Sequence, residues 1–301
     1  MKFLPLLTLL ICFCSCGAST SKADDNSASA DSAAVLAPLS ENALMITDSI
    51  PAGSKKVEVH TTAGDFTLLL YGDTPGHRDN FIKLVEDSAY NGVLFHRVIK
   101  DFMVQAGDPE SKNAPAGKQL GSGQTGEPIP AEIVFPKHFH KRGALAAART
   151  GDQINPERKS SSSQFYIVTG KTYTAAQLDQ MDQRLKYSLG QQHFNELARA
   201  QMDNIRKMQA DGDTAGLKQL QARLAEETNQ WLDTRNIGMT PEMREVYQKI
   251  GGTPHLDNEY TVYGEVISGM DVINKIQQAE TDSSDRPLQD VKIISMKVLD
   301  D

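Results

Sequence analysis

The most informative part of the chain reads Phe95-His96-Arg97-Val98-Ile99-Lys100-Asp101-Phe102-Met103-Val104-Gln105-Ala106-Gly107-Asp108. Its pattern predicts two short strands joined by a turn. Side chains alternate between the faces of a strand, so residues two apart share a face and a turn can bring two such faces together. The stretch therefore places Arg97 and Gln105 beside the apolar Phe102 and Met103. A guanidinium and an amide beside an apolar pocket suit a neutral, amide-rich ligand that must be held and polarised.

Two further motifs follow along the chain. One is Gly143-Ala144-Leu145-Ala146-Ala147-Ala148-Arg149 with Ser163-Gln164-Phe165-Tyr166-Ile167, and the other is Leu256-Asp257-Asn258-Glu259-Tyr260-Thr261-Val262-Tyr263-Gly264-Glu265-Val266. Together the three stretches resemble the ordered motifs of the cyclophilins, the peptidyl-prolyl cis-trans isomerases. A single Phe-His-Arg triplet would be a weak signal, whereas three motifs in the family's order are specific.

The expected fold class is mainly β. Apolar runs on both sides of Ala63-Gly64-Asp65 predict a hairpin, and the pattern from Pro75 to Ala89 predicts an amphipathic helix. A second helix is expected from Asp271 to Gln278. Further strands are predicted around 144–148, 165–168, 261–266 and 291–299. The resemblance implies a closed antiparallel barrel capped by two helices, built from residues 55–173 and 253–301.

Residues 174–252 interrupt this pattern, where typical members of the family have only a few residues. Apolar side chains at spacings of three and four predict two long antiparallel helices separated by Asp211-Gly212-Asp213-Thr214, and therefore an inserted helical hairpin. A short third helix is predicted from Pro241 to Ile250. The two apolar stripes are Leu178, Met181, Leu185 and Leu189, and Leu217, Leu220, Leu224 and Trp231. They either hold the helices to one another and to the barrel or form a client-binding surface.

The chemistry that the resemblance implies is rotation about an Xaa-Pro peptide bond, whose barrier is about 18–20 kcal/mol because of amide resonance. A catalyst must favour the twisted state, in which the prolyl nitrogen gains a lone pair that accepts a hydrogen bond. By resemblance, Arg97 is the residue that donates to it. Arginine suits this role because it is always protonated and presents a fork of donors.

The resemblance also assigns the residues around the reacting bond. Phe102, Met103, Tyr166 and Leu256 match the pocket for the proline ring, and Gln105 is expected to hold Arg97 or the substrate carbonyl. Phe102 and Met103 alone would more simply be core residues. Further contacts with substrate are expected from the backbone of Arg149, and from Gln164, His255 and Tyr260.

Two positions depart from the family pattern. Tyr166 stands where many members have phenylalanine, so a more polar pocket floor is expected. His255 stands where cyclosporin-sensitive members have tryptophan, and losing that large flat contact predicts weak inhibition by cyclosporin.

Other classes of function have little support in the sequence. A net charge of −8 without a basic run argues against nucleic acid as a partner. His138 and His140 could be two metal ligands, but nothing nearby completes a site, so they are expected to be surface histidines. No metal and no cofactor is expected.

The amino terminus carries features of a bacterial lipoprotein signal. Lys2 precedes an apolar run from Phe3 to Phe13, and Ser15 precedes Cys16. Residues 1–15 are therefore expected to be removed and Cys16 to be lipidated; the alternative is an ordinary secretory signal with incidental cysteines. Residues 16–54, rich in Ala, Ser and Asp, read as a flexible tether.

The leading hypothesis is a lipid-anchored isomerase of the bacterial cell envelope, on its periplasmic face or at the cell surface. Its partners would be Xaa-Pro segments of unfolded or exported proteins and, through Cys16, the membrane, and it is expected to be a monomer. The alternative is a non-catalytic binding module or holdase that uses the helical insertion.

Overall fold

A computed structural model describes residues 50–235 and 237–300. The predicted signal peptide, Cys16 and nearly all of the predicted tether lie outside this range. The described chain divides into two compact units, residues 182–238 and residues 50–181 with 239–300. No helix within the described ranges is long and apolar enough to cross a membrane.

Eight antiparallel strands in the larger unit form one sheet. The strands are β1 (Lys55–Thr61), β2 (Gly64–Leu70), β3 (Arg97–Ile99), β4 (Met103–Ala106), β5 (Ala144–Ala147), β6 (Phe165–Val168), β7 (Val262–Ser268) and β8 (Ile293–Val298). Their spatial order is β3-β4-β6-β5-β7-β2-β1-β8. The predicted hairpin is confirmed as β1 and β2, in which Val57 pairs with Leu68 and Val59 with Phe66.

Alternation along the strands gives the sheet two apolar faces. On β6, Phe165 and Ile167 join the main core, whereas Tyr166 and Val168 join a second cluster on the opposite face. β5 divides in the same way, with Leu145 in the core and Ala146 in the second cluster. The mainly β prediction is therefore confirmed, and the second face is where the site described below lies.

Two helices cover the main core. Helix α1 (Pro75–Glu86) buries Phe81, Leu84 and Val85, as its amphipathic pattern predicts. Helix α6 (Met270–Ile276) buries Val272, Ile273 and Ile276. Both helices contribute to one cluster with the inward residues of the strands, so burial of these apolar side chains is the main force that holds the sheet.

The segments that lead into the edge strands β3 and β8 are joined by backbone hydrogen bonds. Phe95 N donates to Val291 O at 2.9 Å, and Ile293 N donates to Val93 O at 2.8 Å. Val98 N, on β3 itself, donates to Asp285 O at 2.8 Å.

The smaller unit contains most of α2 (Ala175–Ala200), together with α3 (Met202–Ala210) and α4 (Thr214–Asp233). Phe194, Leu220 and Leu224 form its buried centre. The Asp213 side chain accepts a hydrogen bond from Gly216 N and caps α4, as its position after the Asp-Gly break predicts.

The prediction that the apolar stripe on α2 packs against neighbouring elements is only partly confirmed. Leu178 is buried with Met243 and Tyr247, but Leu185 is 46% exposed. The reason is that α2 changes partners along its length. Leu185 falls between the cluster that contains Leu178 and the cluster that contains Phe194.

The predicted short third helix is confirmed as α5 (Pro241–Lys249), which belongs to the larger unit. The Thr240 hydroxyl accepts from Met243 N at 3.2 Å, and proline occupies the first turn, which are ordinary signals for a helix start. Met243, Val246 and Tyr247 form its buried face.

Candidate active site

Three predicted site residues lie in one row across neighbouring strands. Arg97 on β3 is the register partner of Gln105 on β4, and Gln105 is the partner of Tyr166 on β6. Directly opposed side chains on antiparallel strands are neighbours on the same face. The sheet register therefore places a cationic donor, an amide and an aromatic ring side by side.

An apolar cluster adjoins this row. Met103 and Tyr166 are buried in it, and Phe102, Leu256 and Tyr260 are partly buried against it. Leu256 ends a short 3₁₀ helix (Pro254–Leu256). The four residues assigned to the proline pocket are thus brought together by segments that lie far apart in the chain.

His255 lies at the rim of the same cluster. Its ring stacks on the Phe102 ring with centroids 5.5 Å apart and an interplanar angle of 25°. Burial lowers the pKa of His255, and the neighbouring His140 lowers it further. The neutral ring thus provides a flat contact at the rim.

A chain of amides extends from the row. Gln105 Nε2 donates to Gln164 Oε1 at 2.9 Å, and Gln164 Nε2 donates to the carbonyls of Gly121 and Gly123 at 2.9 and 2.6 Å. No hydrogen bond joins Gln105 to Arg97 among the described residues, so Gln164 orients the amide. The expectation that Gln105 contacts Arg97 or a substrate carbonyl stays a prediction.

The Arg149 side chain supports the rim of the site. Its Nε donates to Glu259 O at 2.9 Å, and its Nη1 pairs with Asp152 Oδ1 at 2.6 Å. The guanidinium carbon lies 4.5 Å from the centroid of the Tyr260 ring, a cation–π contact. A groove of about 580 Å³, lined in part by Gln105, Arg149 and Gln164, runs beside it.

Arg97 has an ion-pair partner that the sequence reading missed. Arg97 Nε lies 3.4 Å from Asp285 Oδ2, and the two side chains are 42% and 43% exposed. Asp285 lies in the turn before β8, and its φ of 62° is in the left-handed region. No pattern within the Arg97 motif points to a residue so distant in the chain.

If Arg97 is the donor that the resemblance implies, replacing Asp285 with asparagine is expected to raise kcat/KM up to about threefold, because exposed ion pairs are worth about 0–1 kcal/mol and this carboxylate competes for the guanidinium. The gain should shrink as salt is added, since salt screens exposed charges. Peptide isomerisation measured at low and high ionic strength checks it. A fall in activity would show instead that Asp285 holds Arg97 in its productive position.

Tyr166 has a buried polar partner that the sequence reading also missed. Its hydroxyl lies 2.9 Å from His140 Nε2, and His140 Nδ1 lies 3.0 Å from Asp257 Oδ1. Asp257 Oδ2 in turn accepts from the Tyr247 hydroxyl at 2.6 Å. The polar atom of Tyr166 is therefore satisfied inside the protein, and the expectation of a more polar pocket floor is not supported.

The expectation that His138 and His140 are surface residues is wrong. The side chains of His138 and His140 are 6% and 1% exposed. The His138 ring stacks on Tyr71 with centroids 4.1 Å apart and pairs with Asp73 at 2.8 Å. Segments distant in sequence cover both rings, which local alternation cannot reveal.

His96, directly before Arg97, is buried, and burial lowers its pKa below the ordinary value of 6.5. The unfolded chain therefore binds more protons than the folded one in the window below pH 6.5, and stability falls as the pH falls through it. Burial also lowers the pKa values of His77 and His138, which add to the slope.

A His96→Gln variant is expected to lose less unfolding free energy than the parent when the pH is lowered from about 7.5 to about 5.5. Denaturant unfolding at several pH values gives the slope of unfolding free energy against pH for the variant and for the parent. Parallel slopes in the two proteins would show that His96 has the same proton affinity in the folded and unfolded states.

Within residues 50–235 and 237–300, no group of three or more His, Cys, Asp or Glu side chains stands in an arrangement that could hold a metal ion.

Comparison with known proteins gives consistent matches. The family model described as cyclophilin type peptidyl-prolyl cis-trans isomerase/CLD matches residues 56–225 and 245–298. A relative from Staphylococcus saprophyticus named "Putative peptidyl-prolyl cis-trans isomerase" is 30% identical, over 81% of this chain and 92% of its own length. A relative of the same name from Staphylococcus epidermidis is 29% identical, over 81% of this chain and 91% of its own length.

Among solved structures, the chain is similar to a cyclophilin type peptidyl-prolyl cis-trans isomerase from Cryptosporidium parvum. The TM-score is 0.48 and the sequence identity 18%, over 82% of this chain and 99% of that one. A second structure of that protein, in the presence of the dipeptide Ala-Pro, gives a TM-score of 0.47 at 18% identity, over 82% of this chain and all of that one.

Proposed function

The chain belongs to the cyclophilin-type peptidyl-prolyl cis-trans isomerase family, and from that premise we propose that the pocket beside Arg97 catalyses rotation about Xaa-Pro bonds. The observation that carries this assignment to particular residues is the strand register. It aligns Arg97, Gln105 and Tyr166 next to the cluster of Phe102 and Met103.

The proposed role of Arg97 is to donate a hydrogen bond to the prolyl nitrogen of the twisted amide. In the planar ground state the nitrogen lone pair is delocalised into the carbonyl, so this bond forms only as resonance is lost. An interaction that strengthens in the transition state lowers the barrier without strengthening ground-state binding. Arginine does this without a proton transfer, because it stays charged.

The apolar cluster has the complementary role of holding the proline ring. Phe102, Met103 and Leu256 offer apolar surface to a ring that carries no hydrogen-bonding group of its own. Fixing the ring leaves the preceding carbonyl as the part that rotates. We expect Gln105 and the groove beside Arg149, which Gln105 helps to line, to contact the peptide there.

A titration with a short Xaa-Pro peptide tests where the ligand binds. Backbone amide signals of residues 97–105, 164–166 and 255–260 are expected to shift together with one dissociation constant. Signals that shift only in the helices of residues 182–235 would overturn the assignment of the binding site and favour the alternative of a binding module.

The finer architecture is also proposed. The hydrogen bonds from Phe95 to Val291 and from Ile293 to Val93 support a sheet that closes into a barrel beside β3 and β8. The three helices from Ala175 to Asp233, in a stretch where typical family members have only a few residues, support an inserted helical subdomain.

The proposed cellular role is to assist folding of exported proteins from a lipid anchor in the bacterial envelope. The apolar run from Phe3 to Phe13 and the Ser15-Cys16 pair support it. Mass spectrometry of the mature chain tests it: an acylated first residue at Cys16 is expected. An unmodified chain, or one cut elsewhere, would contradict the anchor without affecting the proposed activity.

A further inference from the structure

Four side chains form a continuous hydrogen-bonded series beneath the pocket. It runs from the Tyr166 hydroxyl to His140 Nε2 at 2.9 Å, from His140 Nδ1 to Asp257 Oδ1 at 3.0 Å, and from Asp257 Oδ2 to the Tyr247 hydroxyl at 2.6 Å. All four residues belong to the larger unit. At one end is the floor of the proline pocket, and at the other is a buried tyrosine of α5.

The direction of these bonds follows from donor and acceptor chemistry. An ionised carboxylate only accepts, so His140 Nδ1 carries a proton and donates to Asp257. In a neutral imidazole the other nitrogen is then an acceptor, and the Tyr166 hydroxyl must donate to it. Burial raises the pKa values of Tyr166 and Tyr247, so both hydroxyl groups keep the protons that they donate.

Asp257 is the centre of the series. Its carboxylate accepts from His140 N at 2.8 Å, from His140 Nδ1 and from the Tyr247 hydroxyl. The side chains of His140 and Asp257 are 1% and 8% exposed, and Tyr247 is fully buried. A buried carboxylate needs several donors, and these three leave it little freedom to move.

The backbone around the series is closely packed. A Cβ added to Gly252 would lie 2.2 Å from His140 O and 2.6 Å from Tyr247 Cε1. Thr253 N also donates to His140 O at 2.8 Å. Only a glycine at this position lets the segment after α5 approach both residues.

We infer that Tyr247 and Asp257 are positioning residues that act through His140 on Tyr166 and so hold the floor of the proline pocket. Asp257 also directly follows Leu256, so the same carboxylate anchors two sides of the pocket. Helix α5 thereby supports the site without touching the substrate. This inference rests on the proposed function, because the pocket that is positioned is the one assigned to the proline ring.

The series should affect binding more than chemistry. None of its members is the donor to the prolyl nitrogen, so Arg97 keeps its role when the series is broken. A displaced floor instead weakens contact with the proline ring in the ground state and the transition state alike. Such a loss raises KM and leaves kcat nearly unchanged.

The test is a double-mutant cycle with Tyr247→Phe and Tyr166→Phe, each of which keeps the ring and removes one hydroxyl. Tyr247→Phe alone is expected to raise KM about threefold to tenfold, with kcat within about twofold of the parent. In the Tyr166→Phe background the hydrogen bond between Tyr166 and His140 is already lost, so adding Tyr247→Phe should raise KM little further. Tyr173→Phe is the matched control, because Tyr173 packs against Tyr247 but no hydrogen bond joins it to Asp257 among the described residues.

A spectroscopic reading accompanies the kinetics. Long-range proton–nitrogen correlation is expected to show His140 protonated at Nδ1 in the parent, and Asp257→Asn is expected to change that tautomer. The inference would be overturned if Tyr247→Phe had the same effect on KM with and without the Tyr166→Phe change. A parent His140 protonated at Nε2 would overturn it as well.

Different results would contradict the positioning role and the proposed function. If the parent is active and depends on Arg97 but the cycle is additive, only the positioning role is wrong. If the parent does not catalyse isomerisation, the proposed function itself is wrong, and the inference falls with it.

Discussion

Replacing Arg97 with alanine is expected to lower kcat/KM for an Xaa-Pro peptide by about 10²–10³, the usual loss when one transition-state donor is removed. The physical reason is that Arg97 is the proposed donor, and it is the charged member of the row that it forms with Gln105 and Tyr166. Without it, the pyramidal prolyl nitrogen finds no charged partner. The loss should appear mainly in kcat, because the bond forms only as the amide twists. A protease-free peptide assay, or exchange spectroscopy, measures it.

Two further variants sharpen this prediction. Arg97→Lys keeps the charge but loses the fork of donors, so it should recover only part of the rate. Arg78→Ala is the control, because Arg78 lies on α1 and donates hydrogen bonds to Gly53 O and to the Asp79 side chain. No role in the pocket is assigned to it. An Arg97→Ala protein with kcat/KM within about threefold of the parent would contradict the assigned donor.

Replacing Phe165 with alanine is expected to lower the unfolding free energy by about 3–5 kcal/mol. Phe165 is fully buried, and its ring meets Phe81 and Tyr90 edge-on, with centroids 5.4 and 5.5 Å apart. The change removes apolar contact and leaves a cavity between the sheet and α1. Denaturant unfolding, followed by a signal from the larger unit, measures the loss.

Ile294→Ala is the matched control, because Ile294 lies on β8 of the same sheet and is 55% exposed. It should change stability by less than about 0.5 kcal/mol. Similar losses in both variants would mean that the inward face of β6 is not the core that holds the sheet. Since Tyr166 lies on the other face, the Phe165 variant that remains folded should still bind peptide.

The strands of the sheet were predictable because their signals are local. Alternating apolar residues around a glycine turn predicted β1 and β2, and the three motifs predicted β3 to β7 close to their observed bounds. The register that aligns Arg97, Gln105 and Tyr166 follows from those motifs once the strands are paired. The register accounts for Met103 and Tyr166 sharing one apolar cluster, which Leu256 joins from a 3₁₀ helix outside these strands.

The supporting side chains were not predictable in the same way. Asp285 reaches Arg97 from a turn near the end of the chain, and Asp257 reaches His140 across 117 positions. Such pairs depend on how distant segments meet, which alternation within one strand does not encode. The prediction that His138 and His140 are exposed was wrong for this reason.

The helices between residues 175 and 249 show the same dependence on contacts between distant segments. Spacings of three and four predicted the helices α2 and α4, since periodicity is a property of one helix. They did not predict the break at Gln201, which divides the first of the two expected helices into α2 and α3. They could not predict that Leu185 is exposed, because exposure depends on which partner each part of α2 meets.

The most direct test of the account is exchange NMR on an Xaa-Pro peptide mixed with a small amount of the full chain. Catalysis at Arg97 predicts exchange between the cis and trans signals of the peptide, which the free peptide does not show because its uncatalysed isomerisation is too slow. The ratio of cis to trans peptide should stay unchanged. The Arg97→Ala protein should produce no such exchange. The contradicting result is a parent protein that binds the peptide, so that the peptide signals broaden or shift, without producing exchange between the cis and trans forms. That result would favour a non-catalytic binding module.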